Sequence, residues 1–218
     1  MNATRVVGIA GVFAITLMAV GCSSKSPTSS DNNNPAPTPV PATAKKKPVP
    51  YTAKSCLSQM TGVAARWQRD ALPFHMESGL NAESTGHDGK STIWRAMLAS
   101  PSRGTYRSFT CSGSRLLEEA PVGVTSTAET AYGPDVPPLI FQSVYLTTDS
   151  DKAFALAQEK GGAKLLEKDP QQPVVYSLDW DPKHKQLLWS VIYGTARNDS
   201  KGIGVIDAST GKFLRAVK

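Results

Sequence analysis

Residues 23–50 hold seven prolines among Ser, Thr, Asn, Ala and Lys, and almost no side chain there could enter a core. A stretch of that composition cannot bury enough apolar surface to offset the entropy of ordering it. It therefore divides the 218-residue chain into a short apolar start, a disordered tether, and a remainder of about 165 residues. That remainder is enough for one ordinary domain or two very small ones. Within the tether, Pro35-Ala36-Pro37-Thr38-Pro39-Val40-Pro41 alternates proline with small residues, which favours extended polyproline II. At about 3.1 Å per residue the stretch reaches on the order of 90 Å, so its expected role is that of a spacer. A proline-rich ligand for a partner domain is the alternative. The run Lys45-Lys46-Lys47 reads as a solvated stretch that keeps the tether extended, with contact to anionic lipid or cell-wall polymer as the other reading.

Residues 1–21 carry one early positive charge at Arg5, then no charged side chain from 6 to 20, then Gly21 before Cys22. This is the order of a secretory leader. The apolar run of fifteen residues is short for a bilayer span, which needs about 20 residues, and it ends in small residues rather than a basic cluster. The segment Leu17-Met18-Ala19-Val20-Gly21-Cys22, followed by Ser23-Ser24, resembles the lipobox of bacterial lipoproteins. The resemblance implies cleavage before Cys22, acylation of that cysteine, and display outside the cytoplasm with the membrane as a partner through the N-terminal lipid. In a cell with two membranes, Ser23 implies the outer membrane facing the periplasm; otherwise the outer face of the cell membrane is implied. An ordinary secretory signal with an unrelated cysteine is the competing reading.

With Cys22 assigned to lipid, Cys56 and Cys111 remain as an even pair in an exported chain, which reads as one disulfide. Such a bridge closes a loop of about 55 residues and stabilises the fold by about 4 kcal/mol in the chain-entropy picture. The alternative is a catalytic thiol at Cys56 served by His75 or His87.

A hydrophobic fraction of 40%, with four Trp, six Tyr and six Phe, predicts a folded region after the tether. The formal charge is +6, and loss of the leader leaves 23 basic against 18 acidic side chains, a mild bias. No basic stripe is interleaved with aromatics, so a nucleic-acid partner is not expected.

The folded region reads as α+β, two helix-plus-antiparallel-sheet units in tandem. In the first, residues 51–120, Leu57, Met60, Val63, Ala64 and Trp67 recur at spacings of three and four and predict an amphipathic helix over 55–71, with Pro73 forcing the chain out. Extended segments follow over 74–80, 92–99 and 106–112, separated by glycine turns. Residues 115–138 read as an edge strand and a loop, the loop being 121–138. The second unit, 139–218, opens with a strand over 139–146. Asp149 and Ser150 then cap a helix running through Gln158, which Gly161-Gly162 ends. Strands are expected over 174–180, 186–193, 202–206 and 213–217. The middle strands align at Trp94 and Trp189, and the shared element order suggests a degenerate duplication.

From residue 188 onward, Leu188-Trp189-Ser190-Val191-Ile192-Tyr193 and then Gly204-Val205-Ile206-Asp207-Ala208-Ser209-Thr210-Gly211-Lys212-Phe213-Leu214 resemble the end of a PepSY domain. The resemblance covers residues 151–218 and implies a helix across a curved antiparallel sheet and a binding or inhibitory role. Independently of any family, Asp207, Ser209 and Thr210 can bond nearby amides and Gly211 can take a positive φ, which predicts a tight hairpin turn over 207–212.

Trp180 lies between Asp179 and Asp181 at a strand end, an arrangement suited to a polar ligand, whereas Trp67, Trp94 and Trp189 sit on core-facing patterns. Asp179, Asp181 and His184, with Asp149 and Asp151, could approach a cation, yet the loop pattern of a calcium site is missing and they read as turn and cap residues. No metal or cofactor is expected. No nucleophile elbow, zinc helix or phosphate loop is present. The expectation is thus a non-enzymatic envelope lipoprotein that binds a protein, peptide or wall component, against the alternative of an extracytoplasmic hydrolase with a dispersed site.

Overall fold

A computed structural model describes residues 46–133, 135 and 137–217. Residues 1–45, on which the expected leader, the acylated Cys22 and most of the expected tether fall, lie outside the described residues. The fold is α+β, a nine-stranded antiparallel sheet with helices against one face.

Helix α1 spans Ala53–Trp67, with Thr52 as its N-cap, and buries Cys56, Leu57, Met60 and Ala64. The chain leaves the helix at Gln68, whose backbone is extended, four residues before the 55–71 estimate and well ahead of Pro73. The local reason is Asp70, whose carboxylate accepts from Ser100 Oγ at 2.7 Å and from the Ser102 amide at 2.8 Å and so holds a turn there. Strands β1 (Leu72–Ser78), β2 (Ile93–Ser100) and β3 (Thr105–Ser112) form a meander. The short β4 (Gly123–Ser126) and β5 (Thr130–Ala131) both pair with β3.

Helix α2 spans Ser150–Ala157 with Asp149 as its N-cap. Gly161, at φ 116°, does break it, but the chain re-enters helix at once as α3 (Ala163–Lys168), which the glycine pair had not suggested. Then β6 (Val174–Asp181), β7 (Gln186–Tyr193), β8 (Gly202–Asp207) and β9 (Phe213–Val217) form a second meander. The turn at 207–212 closes as its residues foretell: Asp207 Oδ1 accepts from the Ser209 and Thr210 amides, and Gly211 has φ 73°.

Residues 139–146 do not form the expected strand; they cross the end of the sheet and make a single 3-10 turn at Ser143–Tyr145. Phe141 donates to the Pro73 carbonyl at the start of β1, beyond the β6 ladder of residues 75–77, and the chain then enters the 3-10 turn after this one bond to β1. The buried side chains of Phe141 and Leu146 account for the apolar pattern that suggested a strand.

The strand order is β4-β3-β2-β1-β6-β7-β8-β9, so the two meanders meet at their first strands. One core lies between the sheet and the helices and draws on both meanders, with Trp94, Tyr176 and Trp189 mutually within 6.5 Å at its centre. Cys56 on α1 and Cys111 on β3 are joined in a disulfide, Cα–Cα 5.7 Å, which removes Cys56 as a free thiol. The helices begin head to head. The Ala53 amide donates to Ser150 Oγ at 2.9 Å and the Lys54 amide to Asp149 Oδ1 at 2.9 Å, so one carboxylate serves the amino ends of α1 and α2 together. Among the described residues no helix is long and apolar enough to cross a membrane.

Candidate functional site

Strand alternation decides which side chains face away from the helices. In β6, Val174, Tyr176 and Leu178 enter the main core, leaving Val175, Ser177 and Asp179 on the uncovered face. In β1, the register shifts between Pro73 and His75, so Phe74 is the extra residue of a bulge and stands beside His75 opposite Met97. His75 is paired directly across the seam with Asp179.

At that seam His75 Nδ1 lies 2.6 Å from Asp179 Oδ1, and its Nε2 lies 3.5 Å from Glu77 Oε2. The other oxygen of Asp179 accepts from Ser177 Oγ and lies 3.5 Å from Arg197 Nη2. Arg197 reaches in from the turn Arg197–Asp199 and donates to Ser190 Oγ at 2.8 Å. Asp199 holds that turn by accepting from the Ala196 amide and the Thr195 hydroxyl. The hydrogen bond to Asp179, then that to Glu77, pushes the His75 pKa up to about 9 against the opposing effect of burial. Burial alone would raise Asp179, but its bonds from His75 and Ser177 hold the carboxyl below its usual value.

Three recesses meet on this cluster. One of about 470 Å³ is walled by Phe74, Met97, Tyr106, Tyr132, Pro138 and Leu139, with His75 and Asp179 at its end. A second, about 410 Å³, runs between Leu80 and Arg95 on one side and Ala196 and Asn198 on the other, again past His75. The third, about 340 Å³, passes Asp179, Arg197, Leu188 and Val205. Because His75, Asp179 and Arg197 are each shared between two of them, the recesses join as a groove across the sheet, largely apolar in the first recess and carrying charge of both signs along the other two, with Glu77 and Arg95 in the second and Asp181 and Arg215 in the third.

The three residues singled out in the sequence, Asp179, Trp180 and Asp181, all line the third recess. Asp179 lies at the centre of the groove. Trp180 alternates to the other side of β6, where its ring packs near Tyr145 with centroids 6.0 Å apart, and from the strand end it also lines the first and third recesses. Asp181 ends β6, paired with Gln186, and accepts from the Lys183 amide and from His184 Nδ1 at 2.7 Å. Asp149 caps helices, as above, and His87 Nε2 lies 2.7 Å from the Gln172 carbonyl. Sequence reasoning missed Glu77, Ser177, Ser190 and Arg197. Polar side chains at alternate positions of two strands, His75 with Glu77 and Ser177 with Asp179, were the available signal of a shared uncovered face.

Chemically, the cluster can receive groups of either charge but has no activated nucleophile. Both ring nitrogens of His75 face carboxylates, and Ser177 bonds Asp179 and not the imidazole. An imidazole held protonated at neutral pH has no lone pair with which to take a proton. The class defined by fold and site is an α+β domain built on one antiparallel sheet, with helices on one face and a groove on the other. No protein-family model matches the chain, and neither curated proteins nor solved structures give a significant match.

Proposed function

We propose that the chain is a cell-envelope lipoprotein, cleaved before Cys22 and acylated there, whose folded domain binds a protein, peptide or wall component without catalysing a reaction. The observation that carries the binding role is the groove on the uncovered face. Its length across the strands suits an extended ligand, its one apolar recess suits a nonpolar side chain, and its mixed charge suits peptide-like polar groups. The lipobox-like leader and the proline-rich stretch support the location.

The domain is best understood as two PepSY-like units, the second closer to the family than the first. The support is local and repeated. Trp94 Nε1 donates at 2.8 Å to the carbonyl of Tyr51, the residue before the N-cap of α1; Trp189 Nε1 donates at 2.8 Å to that of Thr148, the residue before the N-cap of α2. Four residues past each cap stand Cys56 and Ala153, and opposite each tryptophan on the next strand stand Cys111 and Ile206. The disulfide of the first unit thus corresponds to an apolar pair in the second.

Two measurements test the proposal. Cells fed a labelled fatty acid should label the wild-type chain and not a Cys22→Ser variant; an unlabelled wild type defeats the anchor. For binding, the domain immobilised at increasing density should retain a saturable partner from envelope extracts, and Met97→Glu or Arg197→Glu should release it. Retention that these substitutions leave unchanged would move the site elsewhere.

A further inference from the structure

The chain enters the domain at the end of the sheet where β2 begins and β3 finishes. There the Val49 amide donates to Gly113 O at 2.9 Å, Tyr51 pairs with Ser91, and Arg115 Nε donates to the Lys47 carbonyl at 3.4 Å. Residues 47–50, which composition assigns to the tether, are therefore fastened to the fold. Four large apolar side chains stand exposed around this entry: Val49 at 40%, Leu80 at 42%, Val122 at 48% and Leu117 at 101%. Leu117 is fully bare at the tip of the loop between β3 and β4, where an apolar side chain gains nothing from the fold.

The charges around it are unequal in their freedom. Glu83 is taken up by Ser114 Oγ and the Arg115 amide, and Glu119 by Asn81 and Arg95. Lys46, Lys47 and Arg115 make no ion pair among the described residues; Glu119 is matched by Arg95, while Glu83, bonded only to neutral donors, and Glu118 keep their charge, so three unpaired cations face two unpaired carboxylates. Exposed aliphatic side chains set among free cations are what an anionic lipid surface accepts: the apolar groups enter the headgroup boundary, and each nearby Lys or Arg is attracted by the surface potential.

We infer that this end of the domain is a lipid-contacting surface, in which Leu117, Val122 and Val49 dip into an anionic leaflet and Lys46, Lys47 and Arg115 meet its headgroups. The groove opens on the sheet face and reaches this end only at Leu80, so the His75–Asp179 centre and the recess beside Phe74 lie away from the seated surface. The inference rests on the lipid-anchor reading for its biological setting only, because contact is measured on a chain that carries no lipid.

The chain from Ser23 onward, with Cys22 and the leader removed, is sedimented with vesicles of phosphatidylcholine alone or with about one third phosphatidylglycerol. Binding to the anionic vesicles is expected to be at least about tenfold tighter and to weaken with added salt. Leu117→Asp with Val122→Asp should lower it about tenfold or more, and Lys46→Gln, Lys47→Gln and Arg115→Gln together should abolish the preference for anionic lipid. Val144→Asp, a 71% exposed position in the 3-10 turn beyond the opposite end of the sheet, should change nothing. Thermal unfolding of each variant checks the fold. Failure to bind, equal binding to both vesicle types, or loss through Val144→Asp in place of Leu117→Asp would overturn the inference. Loss of fatty-acid labelling at Cys22 with vesicle binding intact would defeat the anchor and leave this surface standing.

Discussion

Trp94 and Trp189 are wholly buried, and each satisfies its indole N–H on a carbonyl that leads into a helix cap. A buried carbonyl deprived of its donor keeps its desolvation cost, so Trp189→Phe should lower stability by about 1–3 kcal/mol, and Trp94→Phe by less, because the Tyr51 carbonyl keeps the Ser91 amide. Urea unfolding measures both; a cost at Trp94 equal to or above that at Trp189 would refute the carbonyl argument. His75 gives a second test, in pH. Its folded-state pKa of about 9 lies above the ordinary value of 6.5, so the folded protein binds the proton more tightly than the unfolded chain. The stabilisation is complete below about pH 6.5 and is lost as pH rises through 9. Asp179 has a 41% exposed side chain, and solvent screening reduces the contribution to about 1–2 kcal/mol. Stability compared at pH 6.5 and 9.5 should fall in the wild type by that much more than in His75→Asn, and parallel pH profiles would refute the assignment.

At the scale of elements, Asp149 is the joint of the two helices. Removing an N-cap costs about 0.5–2 kcal/mol, and here a single side chain serves two helix starts. Asp149→Ala should therefore fall at or above the upper part of that range, with Asn recovering part of it, as chemical denaturation would show. A loss below about 0.5 kcal/mol would mean that water replaces both bonds. The cap itself was legible, since Asp149-Ser150 before an apolar run is an N-terminal signal; its second client, Lys54, is 95 residues away and was not. The same division holds for strands. Segments with alternating apolar residues between glycine or proline turns, such as β7 and β9, appear where the pattern puts them. Residues 139–146 carry a similar apolar content and make no ladder; Phe141 and Leu146 are buried from a segment with a 3-10 turn, and apolar content alone does not distinguish that from a strand. For the groove, the polar alternation was present in β1 and β6 separately, but their pairing across the seam comes from sheet order, which joins His75 to Asp179 over 104 residues. The bulge at Phe74, which turns two successive side chains to one face, had no sequence marker beyond the neighbouring Pro73.

At the scale of the whole molecule, repeated units would suggest independent folding, and the packing argues the reverse. The central cluster takes Trp94 from one meander and Tyr176 and Trp189 from the other, and only β1 and β6 join the sheet halves. Cutting there would expose wholly buried aromatic surface on both sides, so neither half retains a closed core. The disulfide lies within the first half, between α1 and β3, yet that half cannot unfold without opening the shared core. Its stabilisation should consequently be felt by the entire domain. Replacing Cys56 and Cys111 by Ala should cost about 4 kcal/mol, the value for closing a loop of about 55 residues. For a domain of this size that is a fall in Tm of about 8–16 °C. Unfolding should remain one transition, followed alike by tryptophan fluorescence and by helical circular dichroism. Two separated transitions in the variant, with the second unchanged from the wild type, would show that the halves are independent and that the aromatic cluster does not couple them.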